Sequence, residues 1–360
     1  MPVYKDEERN TWYVKCYYED CYGKIRQKKK RGFKLRKEAK AWEDNFLSND
    51  AKVPTITFNE VLERYYDDVQ YKVVPSTLSQ KKMTIGRHIV PIFGDLPIMK
   101  ISPEMILSWQ NDLRSTPQVV AKDKVLSARS IHGITAQLAA VLNFAVRYYN
   151  LPQNPVNKLD KVKYEKKQLD FWDVDQFKKA VEFSKGIEMH LIFQMLFYGG
   201  FRIGELQALT PADLRERDMS VSVTKTYKYI DGEWVKGPPK SPNSTRRVAL
   251  PEFVWKELKG YISKLYHHDD NSDIFTCSRS KIRTHLDNAA KFAKVPRIRV
   301  HDLRHSHVSY LISLGFTTYE IADRIGDTPF VVEKIYAHMY ESKRMEIAKK
   351  LQSEHQNEAS

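Results

Sequence analysis

The sequence predicts a multidomain chain: a small α+β N-terminal module, an all-α second domain, and a mixed, mainly α third domain with a small antiparallel sheet. Three observations predict it. Residues 11–18, TWYVKCYY, are aromatic and β-branched, and a second run loaded with cations, KIRQKKKRGF, follows them. Between Thr57 and Tyr149 apolar residues recur at helical spacing, with capping signals and little strand. Beyond a cationic, proline-bearing stretch, helical patterns return around an Asp231-Gly232 turn set between alternating runs.

At 360 residues the chain has room for two or three cores. A hydrophobic fraction of 42% is that of a globular protein, and a net charge of +14 points to a polyanionic partner, although a basic enzyme of another kind has the same composition. Cys16, Cys21 and Cys277 form no CxxC pair and no metal-ligand spacing with His. Free thiols in a reducing cytosol are expected, with no metal or other cofactor. MPVYKDEERN lacks the apolar stretch of a signal peptide, and no apolar run approaches the roughly eighteen residues of a membrane span. A cytoplasmic protein without membrane contact is expected.

In the first module, residues 1–48, a turn around Glu19 to Gly23 joins the strands, and a helix over Lys37–Phe46 puts Ala39, Trp42 and Phe46 on one face. Lys24, Arg26, Lys28, Lys29, Lys30 and Arg31 lie on the second strand. Cations beside aromatics in a strand suit a β-ribbon laid in a DNA groove; a solvated charged surface is the competing reading.

After a polar linker at 49–54, the second domain spans 55–150. Thr57 and Glu60 form a capping box ahead of FNEVLERYYDDV. A second helix, from Ser76 through Val90, carries Lys81, Lys82 and Arg87 and stops at Pro91. Ser102-Pro103-Glu104 opens the helix EMILSWQNDL. The last helix, Ser127 to Tyr149, places Ile131, Ile134, Leu138, Val141, Leu142 and Ala145 on one stripe. Lys81, Lys82 and Arg87 are candidate DNA-backbone contacts or ordinary solubilising charge. Asn150 to Lys167 reads as a linker.

The third domain, 168–355, begins with Asp173 capping VDQFKKAVEF and continues through an apolar core helix, His190–Tyr198. In YGGFRIGELQALTPADL, Gly199 and Gly200 permit a sharp turn, after which Arg202 and Glu205 stand one helical turn apart; such a pair is usually a plain salt bridge. Thr210, Pro211 and Asp213 start a further short helix. The hairpin and a second connection, Ser241 to Ser244, lead into TRRVAL as one small sheet, with Lys240 at the edge of the second turn. In Arg299–Tyr340, His301 and Arg304 share a helix face, Asp327 sits in a Gly-Asp-Thr-Pro turn, and Tyr336 follows one short helix later, with His338 two residues beyond. A base, a guanidinium and a phenol near the end of a basic chain suggest phosphoryl transfer with Tyr as nucleophile.

Taken in order, GGFRIGEL, a lysine before SPNSTRRVAL, HDLRHSH, and a tyrosine in IYAHMY nine residues after the Asp of an IGD turn resemble the tyrosine recombinase (phage integrase) family. The resemblance covers about 168–350 closely. Upstream it is architectural: a helical, SAM-like core-binding domain preceded by an arm-binding module, as in integrases of Gram-positive phages and conjugative transposons. It implies a site-specific DNA recombinase that cleaves and rejoins strands through a 3′-phosphotyrosine, integrating or excising a mobile element without ATP or metal. Arg202 and Arg304 would clamp the phosphate, His301 would transfer a proton or bind the phosphate, Lys240 would protonate the leaving 5′-oxygen, and Tyr336 would attack. Asp327 stands where the family commonly has His or Trp, and a carboxylate there would repel the phosphate. An orienting role towards Arg304, His301 or the following turn is therefore expected, or an N-cap ahead of Thr328-Pro329. Glu205 and Asp302 would brace the arginine and the histidine.

The partners implied are double-stranded DNA at core and arm attachment sites, a homotetramer in the synaptic complex, an excisionase and a host DNA-bending protein. The tail SKRMEIAKKLQ, with Met345, Ile347, Ala348 and Leu351 at helical spacing, would dock on a neighbouring protomer or pack in cis. A type IB topoisomerase-like relaxase and a non-catalytic DNA-binding regulator are the alternative functions.

Overall fold

The computed structural model describes residues 3–19, 25–46, 56–117, 124–165, 170–239, 241–265, 269–342 and 352. The chain divides into two units, Met1–Lys166 and Lys167–Ser360.

The aromatic and cationic runs pair as antiparallel strands, β2 (Thr11–Glu19) and β3 (Ile25–Phe33). A strand too short to signal itself, β1 (Val3–Asp6), adds to the free side of β2. Helix α1 (Arg36–Asn45) covers one face, burying Val14 and Cys16 against Ala39 and Phe46. Side chains alternate across a strand, so register assigns each cation to a face. Lys28 and Lys30 pair with Cys16 and Val14 and share the helix side, where the Lys30 ammonium lies 5.1 Å from the Trp42 ring. Lys29 pairs with Lys15 on the open face; its ammonium is 4.7 Å from the Tyr13 ring, on which Tyr4 stacks, and Arg31 also reaches that ring. The expected ribbon of cations is thus divided between two faces. Lys24, the Glu19–Gly23 turn beyond Glu19, and the side chain of Arg26 lie outside the described residues.

The helical part of this unit contains α2 (Phe58–Val69), α3 (Pro75–His88), α4 (Val90–Phe93), α5 (Pro103–Ser115) and α6 (Ala128–Tyr148). Both expected caps, at Thr57 and Ser102, are made, and Ser127 adds a third. Thr57 Oγ1 accepts from the Glu60 N–H while Glu60 accepts from the Thr57 N–H, and the Ser102 and Ser127 hydroxyls accept from Met105 and Ser130. The six stripe residues of α6 are buried. Two expectations are corrected. The helix yields at Ile89, ahead of Pro91, and Pro91 then sits inside the new turn α4, where an early position has no hydrogen bond for its missing N–H to lose. The stretch read as a linker from Asn150 is packed as far as Val162: Leu151 and Pro155 are buried, and Val156, Leu159 and Val162 lie against the helical core. Asn154 holds this return, donating to Ala139 O (3.0 Å) and Asn143 Oδ1 (2.8 Å) and accepting from the Val156 N–H (3.0 Å). Lys81 is engaged within the domain by Gln137 Oε1 (2.8 Å) and the Tyr65 hydroxyl (3.2 Å), and Lys82 lies over the Tyr66 ring, whereas the Arg87 side chain is exposed.

The second unit runs α7 (Val174–Val181), α8 (Ile187–Tyr198), α9 (Ile203–Gln207), β4 (Leu214–Arg215), β5 (Ser220–Val223), β6 (Thr226–Ile230), β7 (Glu233–Gly237), β8 (Arg246–Ala249), α10 (Glu252–Ile262), α11 (Arg279–Ala293), α12 (Asp302–Ser313), α13 (Thr318–Ile325) and α14 (Pro329–Ser342). Helix α8 is apolar on almost every side because it is the centre of the core, with Leu191, Ile192, Phe193, Met195, Leu196 and Phe197 all buried. The hairpin β6–β7 turns at Asp231 (φ 49°) and Gly232 (φ 98°), as a type I′ turn requires. The single sheet expected here is instead two. Strand β8 bypasses the hairpin and pairs with β5, forming the sheet β4-β5-β8, because that pairing buries Val221 opposite Val248. A smaller apolar cluster, with Val308, Ile312, Ile321, Ile325 and Val332, ties α12, α13 and α14 together and seats Tyr336. Among the described residues, Cys16 and Cys277 are buried free thiols, and no helix is long and apolar enough to cross a membrane.

Candidate active site

The two glycines after α8 bring Arg202 to the site. Gly200 adopts φ +65°, and a Cβ there would strike the buried His307 ring of α12 at 2.4 Å, so the backbone can pass over α12 only as glycine. Arg202 emerges at the N-cap of α9. Its Nη1 donates to Glu205 Oε1 (2.8 Å) and its Nη2 to Asp327 Oδ2 (2.9 Å). Glu205 is 1% exposed, and its other oxygen accepts from Arg246 Nη2 (3.0 Å) and from the Arg202 N–H (3.0 Å). Burial pushes the Glu205 carboxyl upward, but Arg246 and Arg202 outweigh it and hold the group below the usual range.

Arg304, on α12, is 4% exposed. Its Nη1 donates to Gly200 O (2.7 Å); its Nη2 donates to Ile325 O (2.6 Å) and to Asp327 Oδ2 (3.3 Å). Burial and then the neighbouring guanidiniums of Arg202 and Arg246 pull its pKa down to about 9, which leaves it charged at neutral pH. The Nη2 atoms of two arginines therefore converge on one carboxylate oxygen. Asp327 reaches them because α13 ends in a left-handed Gly326 (φ 66°) that packs on Arg246 and on Asn243 and Ser244 of the turn before β8.

Tyr336, on α14, is 3% exposed, and its hydroxyl is hydrogen-bonded to His305 Nδ1. Burial raises the phenol far above its ordinary pKa; Arg304 opposes the rise, and Asp302 and Asp327 add to it. His301 precedes α12 with an exposed edge, its ring 5.1 Å from that of His305 and perpendicular to it. Lost hydration on its packed side, and then Arg304, hold its pKa below the ordinary value.

Residues 167–343 match the Phage integrase family, residues 57–114 the N-terminal SAM-like domain of phage integrases, and residues 2–50 an Arm DNA-binding domain. The chain belongs to the phage integrase family. The ICEBs1 integrase of Bacillus subtilis is 27% identical over 336 residues, which cover 88% of each chain. The Tn1549 transposon integrase, solved in complex with transposon right-end DNA, shares the fold with a TM-score of 0.65 at 18% identity, covering 82% of this chain and 99% of that one. The lambda integrase tetramer bound to a Holliday junction aligns with a TM-score of 0.56 at 15% identity over 91% of each chain.

In this integrase Arg202, Arg304 and Asp327 are joined by hydrogen bonds, and His301 and Tyr336 flank His305. Lys240 and the side chain of His338 lie outside the described residues, as do 343–351 of the tail. Asp327 does not cap α14; Thr328 does, accepting from the Val331 N–H (3.4 Å) through its hydroxyl and from Val332 through its carbonyl. Of the orienting roles expected for Asp327, contact with Arg304 is present and contact with His301 is not. Asp302 is likewise corrected: its carboxylate holds Arg299 in a fork (2.9 and 2.7 Å) rather than His301. Three participants were not singled out in the sequence. Arg246 is one of two cations in TRRVAL, Arg324 one charge of α13, and His305 the middle imidazole of HDLRHSH. Only His305 left a usable signal, since it stands four residues after His301 and shares its face.

Proposed function

We propose that this integrase cuts and rejoins DNA at specific sites through Tyr336, leaving a 3′-phosphotyrosine and a free 5′-hydroxyl. One observation carries the assignment of the site: Nη2 donors of Arg202 and Arg304 meet at a single acceptor oxygen, as they would at a non-bridging phosphate oxygen. Planar guanidiniums that stay charged suit a phosphate whose charge grows during attack, and preorganised donors of this kind contribute roughly 3–4 kcal/mol each. Buried Arg304 is fixed by two backbone carbonyls, so its fork is aimed before substrate arrives. Tyr336 supplies the nucleophile, His301 binds the phosphate or transfers a proton, and Lys240 protonates the leaving oxygen. Because the phosphotyrosine keeps the energy of the broken bond, religation to another strand needs neither ATP nor metal.

Three domains serve this chemistry in the reading: 1–48 for arm sites, 55–150 for the core site and 168–355 for catalysis, a division supported by the matched spans and the separate apolar cores. The open face of the N-terminal sheet, with Tyr13, Lys29 and Arg31, suits DNA better than the helix side. Four protomers would assemble a synapse, as the lambda tetramer does on its junction, with an excisionase and a DNA-bending protein setting direction in the host cytoplasm.

A nicked suicide substrate carrying the core site tests the assignment. The wild type is expected to trap a covalent adduct and Tyr336→Phe to trap none; an adduct that survives the substitution overturns it. Relaxation of any supercoiled plasmid, with no site requirement, would instead make the chain a relaxase.

A further inference from the structure

His301, just before α12, and His305, within it, pack edge to face, and only His305 touches the Tyr336 hydroxyl. His305 Nδ1 shares a hydrogen bond with the Tyr336 hydroxyl, whereas the His301 ring makes no hydrogen bond among the described residues. We propose that His305, rather than His301, accepts the Tyr336 proton during strand cleavage and returns it during religation; the inference rests on the recombinase reading above.

A general base must lie within hydrogen-bond reach of the proton it takes, and His305 meets that condition before any DNA is bound. The phenol is 3% exposed, so bulk water is a poor competitor for the proton. With the phenol donating, Nδ1 is the acceptor and the ring proton resides on Nε2. Around His305 stand Arg299, His301, Asp302 and Arg304 from α12 and the turn before it, and Tyr336 from α14. Burial, and then His301, hold His305 at a pKa of about 4, which keeps the ring neutral and able to accept across the neutral range. Its low basicity at rest is offset during reaction. As the Tyr336 Oη–P bond forms, negative charge accumulates on the phosphate, and an imidazolium beside that charge is favoured.

The proton count closes. In cleavage, Oη–P forms, P–O5′ breaks, the phenolic proton moves to His305 Nδ1, and the 5′-oxygen takes a proton from the separate leaving-group acid. In religation the incoming 5′-hydroxyl gives its proton to that same group, P–Oη breaks, and His305 reprotonates the phenolate. His301, on the exposed side, is left to the phosphate.

The test compares His305→Ala and His305→Asn with the wild type on the nicked substrate at saturating protein, with thermal melting and half-site binding as controls. Asn keeps a hydrogen-bonding atom near the place of Nδ1 but cannot take a proton. Both variants should form adduct about 100-fold more slowly or worse, the usual scale of general base catalysis. Fluorinated tyrosine at position 336, which ionises more readily, should restore about tenfold or more to His305→Ala. Adduct rates within threefold of wild type, a faster rate in either variant, full activity in the Asn variant, or no rescue by fluorotyrosine would each overturn the assignment. A wild-type chain that forms no adduct would overturn the cleavage reading itself, an outcome separate from these.

Discussion

Asp327→Asn removes one negative charge and keeps the side chain's shape, so its consequences follow from the atoms the carboxylate holds. Oδ2 sits 2.9 Å from Arg202 Nη2 and 3.3 Å from Arg304 Nη2. Two unit charges about 4 Å apart at an effective dielectric of about 20 attract by about 4 kcal/mol, which is a ceiling. The side chains of Asp327 and Arg202 are 30% and 32% exposed, so water reduces their pair to about 1 kcal/mol or less. The bond to buried Arg304 is charge-assisted and longer, and adds roughly 1–2 kcal/mol. The fold should therefore lose roughly 1–3 kcal/mol, and at about 2–4 °C per kcal/mol for a domain of this size, melting should fall by roughly 2–12 °C. DNA binding should move the other way. In the proposed function a phosphodiester would compete for the same two Nη2 donors, and without the carboxylate it should gain roughly 1–2 kcal/mol, or about 5–30-fold in Kd. Calorimetry on the free protein and fluorescence anisotropy with a core half-site at two salt concentrations measure both. A lower Tm with weaker DNA binding would refute the reasoning, because it would mean that Asp327 stays between the arginines when the phosphate is bound.

Glu205→Gln should be far more damaging than Asp327→Asn, costing about 3–5 kcal/mol in thermal melts, because it strands buried Arg246 without its counter-charge. Lys29→Ala with Arg31→Ala should weaken arm-site binding and flatten its salt dependence by up to about two phosphate contacts, while Lys28→Ala, on the helix side, should leave both nearly unchanged in the same titration. Acid should destabilise the catalytic unit. His305 and His307 have folded pKa values below the unfolded value of about 6.5, so unfolding takes up protons below that pH; stability is complete above about 6.5 and declines as pH falls towards about 4, visible as a lower Tm at pH 5 than at pH 7. His305→Asn should flatten that decline, and an unchanged slope would remove His305 from it.

What could be read before the fold was known was mostly local. Thr57 with Glu60, Ser102 before Pro103, and the stripe on α6 each depend on residues within one or two turns, and each is formed. Arg202, Arg304 and Tyr336 were legible as residue types in order, but their meeting depends on contacts spanning more than a hundred residues, such as Arg304 with Gly200 and Arg202 with Asp327. The failures are of the same non-local kind. Whether β8 joins the hairpin or β5 is decided by Val248 finding Val221, and both pairings satisfy an alternating pattern. The stretch after Asn150 reads as loop by composition, yet Asn154 finds Asn143 and the Ala139 carbonyl on α6. His301 and His305 share a helix face, and only the return of α14, seated by Val332 against Val308 and Ile312, determines which of them meets the phenol.

Four guanidiniums crowd the site, Arg202, Arg246, Arg304 and Arg324, and their partners determine how much positive charge it would offer the phosphate of the proposed reaction. Carboxylates answer only part of the demand. Glu205 serves Arg202 and Arg246, and Asp327 serves Arg202 and Arg304. Backbone carbonyls take much of the rest: Gly200 and Ile325 for Arg304, Tyr198 and Ala249 for Arg324, and Arg324's own carbonyl for Arg246. A carbonyl satisfies a donor without cancelling its charge, so two positive charges remain uncompensated where a fully paired cluster would have none. The two carboxylates differ in what they can do. Glu205 is enclosed, and removing it leaves a buried cation, so it is a fixed part of the scaffold. Asp327 is partly exposed on the turn ahead of α14 and occupies donors that, in the proposed function, a phosphate oxygen would use. Burial thus separates a permanent counter-charge from an exchangeable one, and under the cleavage proposed above the carboxylate would leave the two arginines as a phosphate takes them, before Tyr336 attacks.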